Sequence, residues 1–307
     1  MGIKGLVLKS TGSWYLVEIE NGEIVNCRLP GKHKLIDTKT TNPIAVGDEV
    51  RLNGVQDAII EEILPRKNFI ERIAPKKRSD RNILASNIDQ AIILVSISKP
   101  RTANGFIDRF LFNTAIQNIP TTIIFNKRDA LTQKEQLKLE ERQNIYEQAS
   151  YNTILISALY KENIDAVKSL IKNKKTLLGG YSGAGKSTLI NVLIPNIDKK
   201  TNAISVKTGK GMHTTTYTEM HKLPFGGYII DAPGIKEFGI TETNKHQIHN
   251  GFIEMHKYIG KCKFNDCLHV NEPACAILEA VAENKISDSR YKSYLSILND
   301  LDSISKY

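Results

Sequence analysis

Between Gly5 and Ile63 the apolar residues fall in short runs separated by turn-forming residues. Gly5–Lys9, Trp14–Glu20, Glu23–Leu29, Asp48–Leu52 and Ala58–Ile63 are rich in Val, Ile and Leu, as strands are. Asn21-Gly22 separates two of them and predicts a type I′ hairpin. Five such strands in so short a stretch predict a small closed barrel. The OB fold is the five-stranded candidate, with another barrel or a sandwich as the alternative. Arg66–Arg81 holds seven Arg or Lys against two acids and is punctuated by Pro65 and Pro75. It reads as a charged linker, either solvated or touching phosphates.

From Ile83 the rhythm changes. Ala91–Ile97 is a continuous apolar run, the mark of a strand covered on both faces, and Thr121–Phe125 reads as a second buried strand. Thr153–Ile156, Thr176–Leu178 and Tyr228–Ile230 predict three more strands. Helical spacing lies between them at Asp108–Gln117, Gln133–Ala149, Ile164–Lys172 and Ser187–Leu193. Alternation of this kind predicts a mainly parallel, doubly wound sheet. After about Thr241 the pattern turns helical around a cysteine cluster. The expected organisation is a multi-domain α/β protein: an OB-like barrel at 1–72, a P-loop nucleotide domain at 73–240 and a helical, metal-binding tail at 241–307.

Composition narrows the classes. Of 307 residues, 41% are hydrophobic and 24% charged, which excludes a disordered or fibrous chain. Lys and Arg outnumber Asp and Glu by 42 to 33, a net charge of +9 that favours a polyanionic partner. No apolar run approaches the ~18 residues of a membrane span, and Met1–Ser10 lacks a signal-peptide core. A cytoplasmic protein without membrane attachment is expected, and there disulfides are disfavoured.

The strongest chemical signal is Gly180-Tyr181-Ser182-Gly183-Ala184-Gly185-Lys186-Ser187-Thr188, which fits G-x-x-x-x-G-K-[ST]. It follows a predicted strand and opens a predicted helix, the context that makes the pattern a phosphate loop. Glycines let backbone N–H groups wrap a phosphate, and the helix N-terminus adds a positive dipole end. Lys186 is expected on the β- and γ-phosphates and Ser187 on Mg²⁺. Asp231-Ala232-Pro233-Gly234 ends the strand before it, placing Asp231 on Mg²⁺ and the Gly234 N–H on the γ-phosphate.

Asn126-Lys127-Arg128-Asp129 directly follows Thr121–Phe125 and matches N-K-x-D. The Asp129 carboxylate can accept from N1–H and the exocyclic amine of guanine, a pair of donors that adenine does not offer. Asn126 can tie the loop and contact the purine edge. The Lys127 stem can cover the ring, and Arg128 lies in the same loop. Ser157-Ala158 follows the next strand, and the Ala158 N–H is expected on guanine O6. GTP, hydrolysed to GDP and phosphate, is therefore the expected nucleotide, and ATP is disfavoured by Asp129.

His213-Thr214-Thr215-Thr216 lies between the phosphate loop and Asp231, where a switch loop belongs. One threonine, taken as Thr215, is expected on Mg²⁺ and γ-phosphate. Ile235 follows Gly234 and cannot orient water, so slow intrinsic turnover is expected. His213 can accept from the attacking water; an RNA contact or a loop-capping role is the alternative. Cys262-x₄-Cys267-x-His269-x₅-Cys275 offers three thiolates and an imidazole, a complete tetrahedral set for a structural Zn²⁺. Cys27 reads as a core thiol. His33, His246, His249 and His256 read as surface residues.

In ordinary GTPases the phosphate loop comes first; here it follows the base-reading motifs, so the chain is circularly permuted. A barrel, a permuted GTPase and a Cys/His tail, in that order, resemble the ribosome-small-subunit-dependent GTPase A family (RsgA, also called YjeQ). The motifs at 126–129, 180–188, 211–216, 231–234 and 262–275 carry the resemblance over nearly the whole chain. Ala232 stands where that family usually has Thr, and Met212 where a basic residue is common. The resemblance implies an OB fold, a catalytic His213, GTP hydrolysis stimulated by the small ribosomal subunit, and a role in late maturation of that subunit; the subunit and its rRNA are the expected partners, and a monomer is expected. Contact at Gly234 is expected to set the orientation of the metal-bearing tail. The alternatives are an rRNA-binding scaffold with a structural nucleotide, or a permuted GTPase of the large subunit.

Overall fold

The structure is a computed structural model and describes residues 2–12, 14–29, 43–73, 81–195, 197, 218–232 and 244–304. Strands β1 (Ile3–Ser10), β2 (Tyr15–Ile19), β3 (Ile24–Cys27), β4 (Glu49–Leu52) and β5 (Ile60–Ile63) form the N-terminal unit. β1 pairs antiparallel with both β2 and β4, β2 with β3, and β4 with β5. A parallel bridge from Arg28 to Ile59 joins the β3 and β5 ends. This is the closed, five-stranded order of the OB fold. Val7, Tyr15, Val17, Cys27, Val50, Leu52 and Ile60 fill it, and burial pushes the Cys27 thiol up to about 11.

The β2–β3 hairpin departs from the expected type I′ turn. Gly22 N–H donates to Ile19 O at 2.8 Å, and Gly22 carries the positive φ of 84°. The loop is a type I turn closed by a glycine bulge, a three-residue solution to the same twist requirement. Asn21 Oδ1 accepts from Glu23 N–H at 2.9 Å instead of serving in a left-handed pair.

Five parallel strands follow in the spatial order β10 (Asn152–Leu155), β9 (Thr121–Phe125), β8 (Gln90–Val95), β11 (Lys175–Gly180), β13 (Tyr228–Asp231). All neighbours in that set run the same way. Alternate residues of β8 feed opposite cores. Ile93 and Val95 pack with α1 (Asn104–Ile116) and α2 (Gln133–Gln148). Ile92 and Leu94 pack with α3 (Ile164–Ile171) and α4 (Lys186–Leu193). Thr132 and Glu135 form the capping box that starts α2.

Three strands escaped the sequence pattern. β12 (Glu219–Lys222) is antiparallel to β13 and also meets β1, with Lys9 opposite Glu219. β1 thus serves the barrel and the large sheet: one edge stays on β2 through Ser10, with a register shift between Val7 and Lys9, while the other passes from β4 at Ile3–Leu6 to β12 at Lys9. The charged stretch expected as a linker holds β6 (Phe69–Ile73), paired with β7 (Arg81–Ser86). It is ordered by Asp48, which is buried and accepts from Arg66 Nε at 2.6 Å, Ser86 Oγ at 2.6 Å and Ala45 N–H at 2.8 Å.

The tail packs 3-10 segments at Lys245–Gly251 and Ile253–Tyr258 with α5 (Ala276–Ala282) and α6 (Asp288–Ile304). Phe252, Met255, Ile277, Tyr294 and Ile297 share their core with Phe112 of α1. Among the described residues no helix is long and apolar enough to cross a membrane.

Candidate nucleotide and metal sites

The carboxyl ends of β9, β10, β11 and β13 carry Asn126, Ser157, Gly180 and Asp231 on one edge of the sheet, where open parallel sheets bind ligands. Asn126 is 4% exposed, and it ties three loops together. Its Nδ2 donates to Ala184 O in the phosphate loop at 2.9 Å. Its Oδ1 accepts the Ala158 N–H at 2.9 Å. The loops starting at Asn126 and Gly180 converge despite their reversed order in the chain. Both ends of the Asn126 amide are engaged in this tie, as is the Ala158 N–H expected on guanine O6.

Asp129 sits in a 3-10 turn, Arg128–Ala130, with its side chain exposed and its Oδ1 held by Ser157 Oγ at 2.5 Å. Ser157 is itself buried and accepts from Tyr160 N–H at 3.2 Å. Lys127 turns the corner in the left-handed region at φ 68°, and its Nζ donates to Lys99 O at 2.6 Å. Burial of the stem draws the Lys127 ammonium below its usual pKa, against the pull of Asp129. The Arg128 N–H donates to Ile156 O at 3.3 Å and the side chain is exposed.

In the phosphate loop Gly185 adopts φ 104°, and a Cβ there would lie 2.3 Å from Asn126 Nδ2. A Cβ on Gly180 would lie 2.7 Å from Leu94 O. The glycines are thus required by close backbone approach as well as by φ. Lys186 Nζ donates to Gly180 O at 2.7 Å and Tyr181 O at 3.1 Å, so its ammonium sits over the loop. Ser182 and Gly183 complete the loop, and Ser187 and Thr188 lie in the first turn of α4. Asp231 ends β13 at 3% exposure, in register with Leu178 of β11. His213, Thr215 and Gly234 lie outside the described residues.

In the tail, Cys262 Sγ, Cys267 Sγ, His269 Nδ1 and Cys275 Sγ all lie within 4.8 Å of one another. Cys262 and Cys275 sulfurs are 3.8 Å apart, and His269 Nδ1 is 3.6 Å from Cys262 and 3.4 Å from Cys275. A zinc tetrahedron with bonds of about 2.3 Å to S and about 2.0 Å to N has edges of about 3.8 and 3.6 Å. The donor set is therefore compatible with zinc. Burial lowers His269 to about 4, keeping the imidazole neutral, and raises Cys267 to about 12. A divalent cation favours the thiolates that burial opposes.

These features match known proteins along most of the chain. The RsgA GTPase profile matches residues 63–241, and the RsgA N-terminal domain profile matches residues 4–59.

The chain belongs to the RsgA GTPase family.

RsgA relatives cover nearly all of it. The Bacteroides fragilis protein named small ribosomal subunit biogenesis GTPase RsgA is 45% identical, covering 97% of each chain. That of Flavobacterium psychrophilum, with the same name, is 43% identical over 97% of this chain and 93% of its own. The crystal structure of YjeQ from Thermotoga maritima superposes with a TM-score of 0.79 at 30% identity, covering 98% of this chain and 99% of that one. YloQ, described as a circularly permuted GTPase, has the same fold, with a TM-score of 0.72 at 24% identity over 99% and 96%. The chain is a circularly permuted GTPase, and the RsgA family implies GTP, GDP and Mg²⁺ as its ligands.

Against the RsgA motifs, the sequence pattern missed the supporting residues. His249 reads as a surface residue, yet its Nδ1 lies 3.3 Å from His269 Nε2 and fixes the ring from behind. Glu272 accepts from the Leu268 and Val270 N–H groups at 2.7 Å; burial raises its pKa, but these donors outweigh it and hold the carboxyl down to about 2. No spacing rule points to either residue, because each works through the fold of a short loop.

Proposed function

We propose that this GTPase hydrolyses GTP in late maturation of the small ribosomal subunit, and that the subunit stimulates turnover. The observation that carries the nucleotide chemistry is the Asn126 bridge from the base-reading loop to Ala184 of the phosphate loop. It supports a reading in which Asp129 and Lys186 serve one ligand. Asp129, held by Ser157, reads the guanine N1–H and amine, and the Lys127 stem covers the ring face. Backbone N–H groups of 183–188 and Lys186 take the phosphates. Ser187 and Asp231 would hold Mg²⁺, which when bound neutralises charge on the β- and γ-oxygens. The ribosomal partner follows from the names of the RsgA relatives and agrees with the +9 charge. One zinc ion in the Cys262, Cys267, His269 and Cys275 site completes the fold of the tail.

His213 orients the attacking water, because Ile235 offers no polar atom for that purpose. His213→Ala should lower subunit-stimulated kcat on the order of 10²-fold while GTP affinity changes little. Single-turnover hydrolysis and equilibrium nucleotide binding measure the two separately. Unchanged turnover would remove the assignment.

The function itself is tested by GTP turnover with purified small and large subunits. Stimulation by small subunits alone is expected, with binding that weakens steeply as salt rises. No turnover under any condition would leave the protein a scaffold with a structural nucleotide.

A further inference from the structure

Helix α1 lies between the phosphate loop and the C-terminal domain. On one side the Phe106 ring meets Tyr181 edge-on, with centroids 5.2 Å apart and planes at 88°. Phe110 lies so close to Gly179 that a Cβ there would sit 2.2 Å from its ring. On the other side Asp108 accepts from Arg290 Nη1 at 2.7 Å, Ser293 Oγ at 2.5 Å and Tyr146 OH at 3.0 Å. Arg290 is 1% exposed, and its Nε and Nη2 donate to the two oxygens of Glu254 at 2.7 and 3.0 Å. Its guanidinium carbon lies 4.8 Å from the Phe252 centroid and 5.5 Å from that of Tyr151. Arg109 extends the seam to Asp300 and Ser296 of α6.

A buried cation shared by two carboxylates adds little stability over apolar packing of the same volume, because both signs are desolvated. What it does supply here is a single geometry between three elements. Asp108 on α1, Glu254 in the 3-10 segment and Arg290 on α6 can all be satisfied in one arrangement. We propose that Arg290 is a positioning residue that, through Asp108 and α1, couples the phosphate loop to the Cys₃His domain.

The link at the nucleotide end is Lys186. Its ammonium donates to the Tyr181 carbonyl, and a bound β-phosphate competes for the same ammonium. Tyr181 therefore changes its backbone contacts when nucleotide arrives, and its ring rests on Phe106. α1 carries the change as a rigid element to Asp108 and Arg290. Coupling of this kind is reciprocal, so whatever holds α6 also alters nucleotide affinity. The inference needs the nucleotide site alone and stands whether or not the ribosomal reading holds.

Hydrogen exchange on the full chain tests it, in the absence of nucleotide, with GDP and with a non-hydrolysable GTP analogue. In the parent protein the α6 amides around Arg290 should exchange several-fold more slowly with either nucleotide. Arg290→Met is close in volume and uncharged. It leaves Asp108 and Glu254 buried without their cation, which lowers stability; with α6 still helical, it should abolish the nucleotide-dependent slowing and weaken GDP binding about five-fold. Should that variant fail to fold, Phe106→Leu carries the test from the far side of α1. It should leave α6 exchange without nucleotide unchanged and remove the response to nucleotide. An α6 exchange rate indifferent to nucleotide in the parent, or a full response in either folded variant, overturns the proposal.

Discussion

Cys275→Ser should empty the metal site and unfold the C-terminal domain as a separate event. Cys275 is 2% exposed and packs with Cys267, Phe252 and Ile277 in the tail core. That core is small, and its loop from Cys262 to Cys275 contains one short backbone contact across it, Lys263 N–H to Ala274 O at 3.2 Å. Glu272 holds the Leu268 and Val270 N–H groups, and the Tyr291 and Tyr294 hydroxyls donate to the His269 and Leu268 carbonyls, but these contacts leave the four ligand side chains to be fixed by the metal. Structural zinc contributes about 10–16 kcal/mol of apparent binding energy in isolated fingers, and losing one thiolate forfeits much of it. The expected loss is on the order of 5 kcal/mol or more, well beyond an ordinary core substitution. Metal analysis should fall from about one zinc per chain to near none. Calorimetry should show a new transition at lower temperature, reproduced in the parent protein by a strong chelator. A zinc-free variant with an unchanged unfolding profile would mean that the four side chains are merely buried neighbours.

The second large effect is a change of base. Asp129→Asn keeps an oxygen for Ser157 Oγ but turns the other acceptor into an amide donor. That donor then faces the exocyclic amine of guanine. GTP affinity should fall about 10³-fold, roughly 4 kcal/mol. Xanthosine triphosphate carries an oxygen at the same position and should bind the variant better than GTP does. Competition binding with both nucleotides measures the exchange of preference. A variant that still prefers guanine would place base reading on some residue other than Asp129.

The parts of this protein that were legible in the sequence are those where function and local structure share residues. Thr121–Phe125 is buried on both faces, so it ends in the unbroken apolar run Ile123–Phe125, and Asn126–Asp129 follows it without a gap. Gly180 and Gly185 are demanded by close approach to Leu94 and Asn126, and this leaves a fixed spacing. β12 left no such trace. Of its four residues, Met220 is the buried hydrophobe, and the strand exists because β13 and β1 hold its two sides. β6 was hidden by the charges around it, although Asp48 organises Arg66 and Ser86 from a distance of 18 and 38 residues. Arg290 was equally silent, since an arginine on an amphipathic helix reads as solvated until its partners on other elements are known.

The sharing of β1 between two sheets means that the N-terminal unit also serves as a seal. If the chain were trimmed to begin after the barrel, the outer flank of β12 beside Lys9 would lose its neighbour. The remaining GTPase would carry a naked edge of unpaired amides and carbonyls, an open invitation to stick to its own copies.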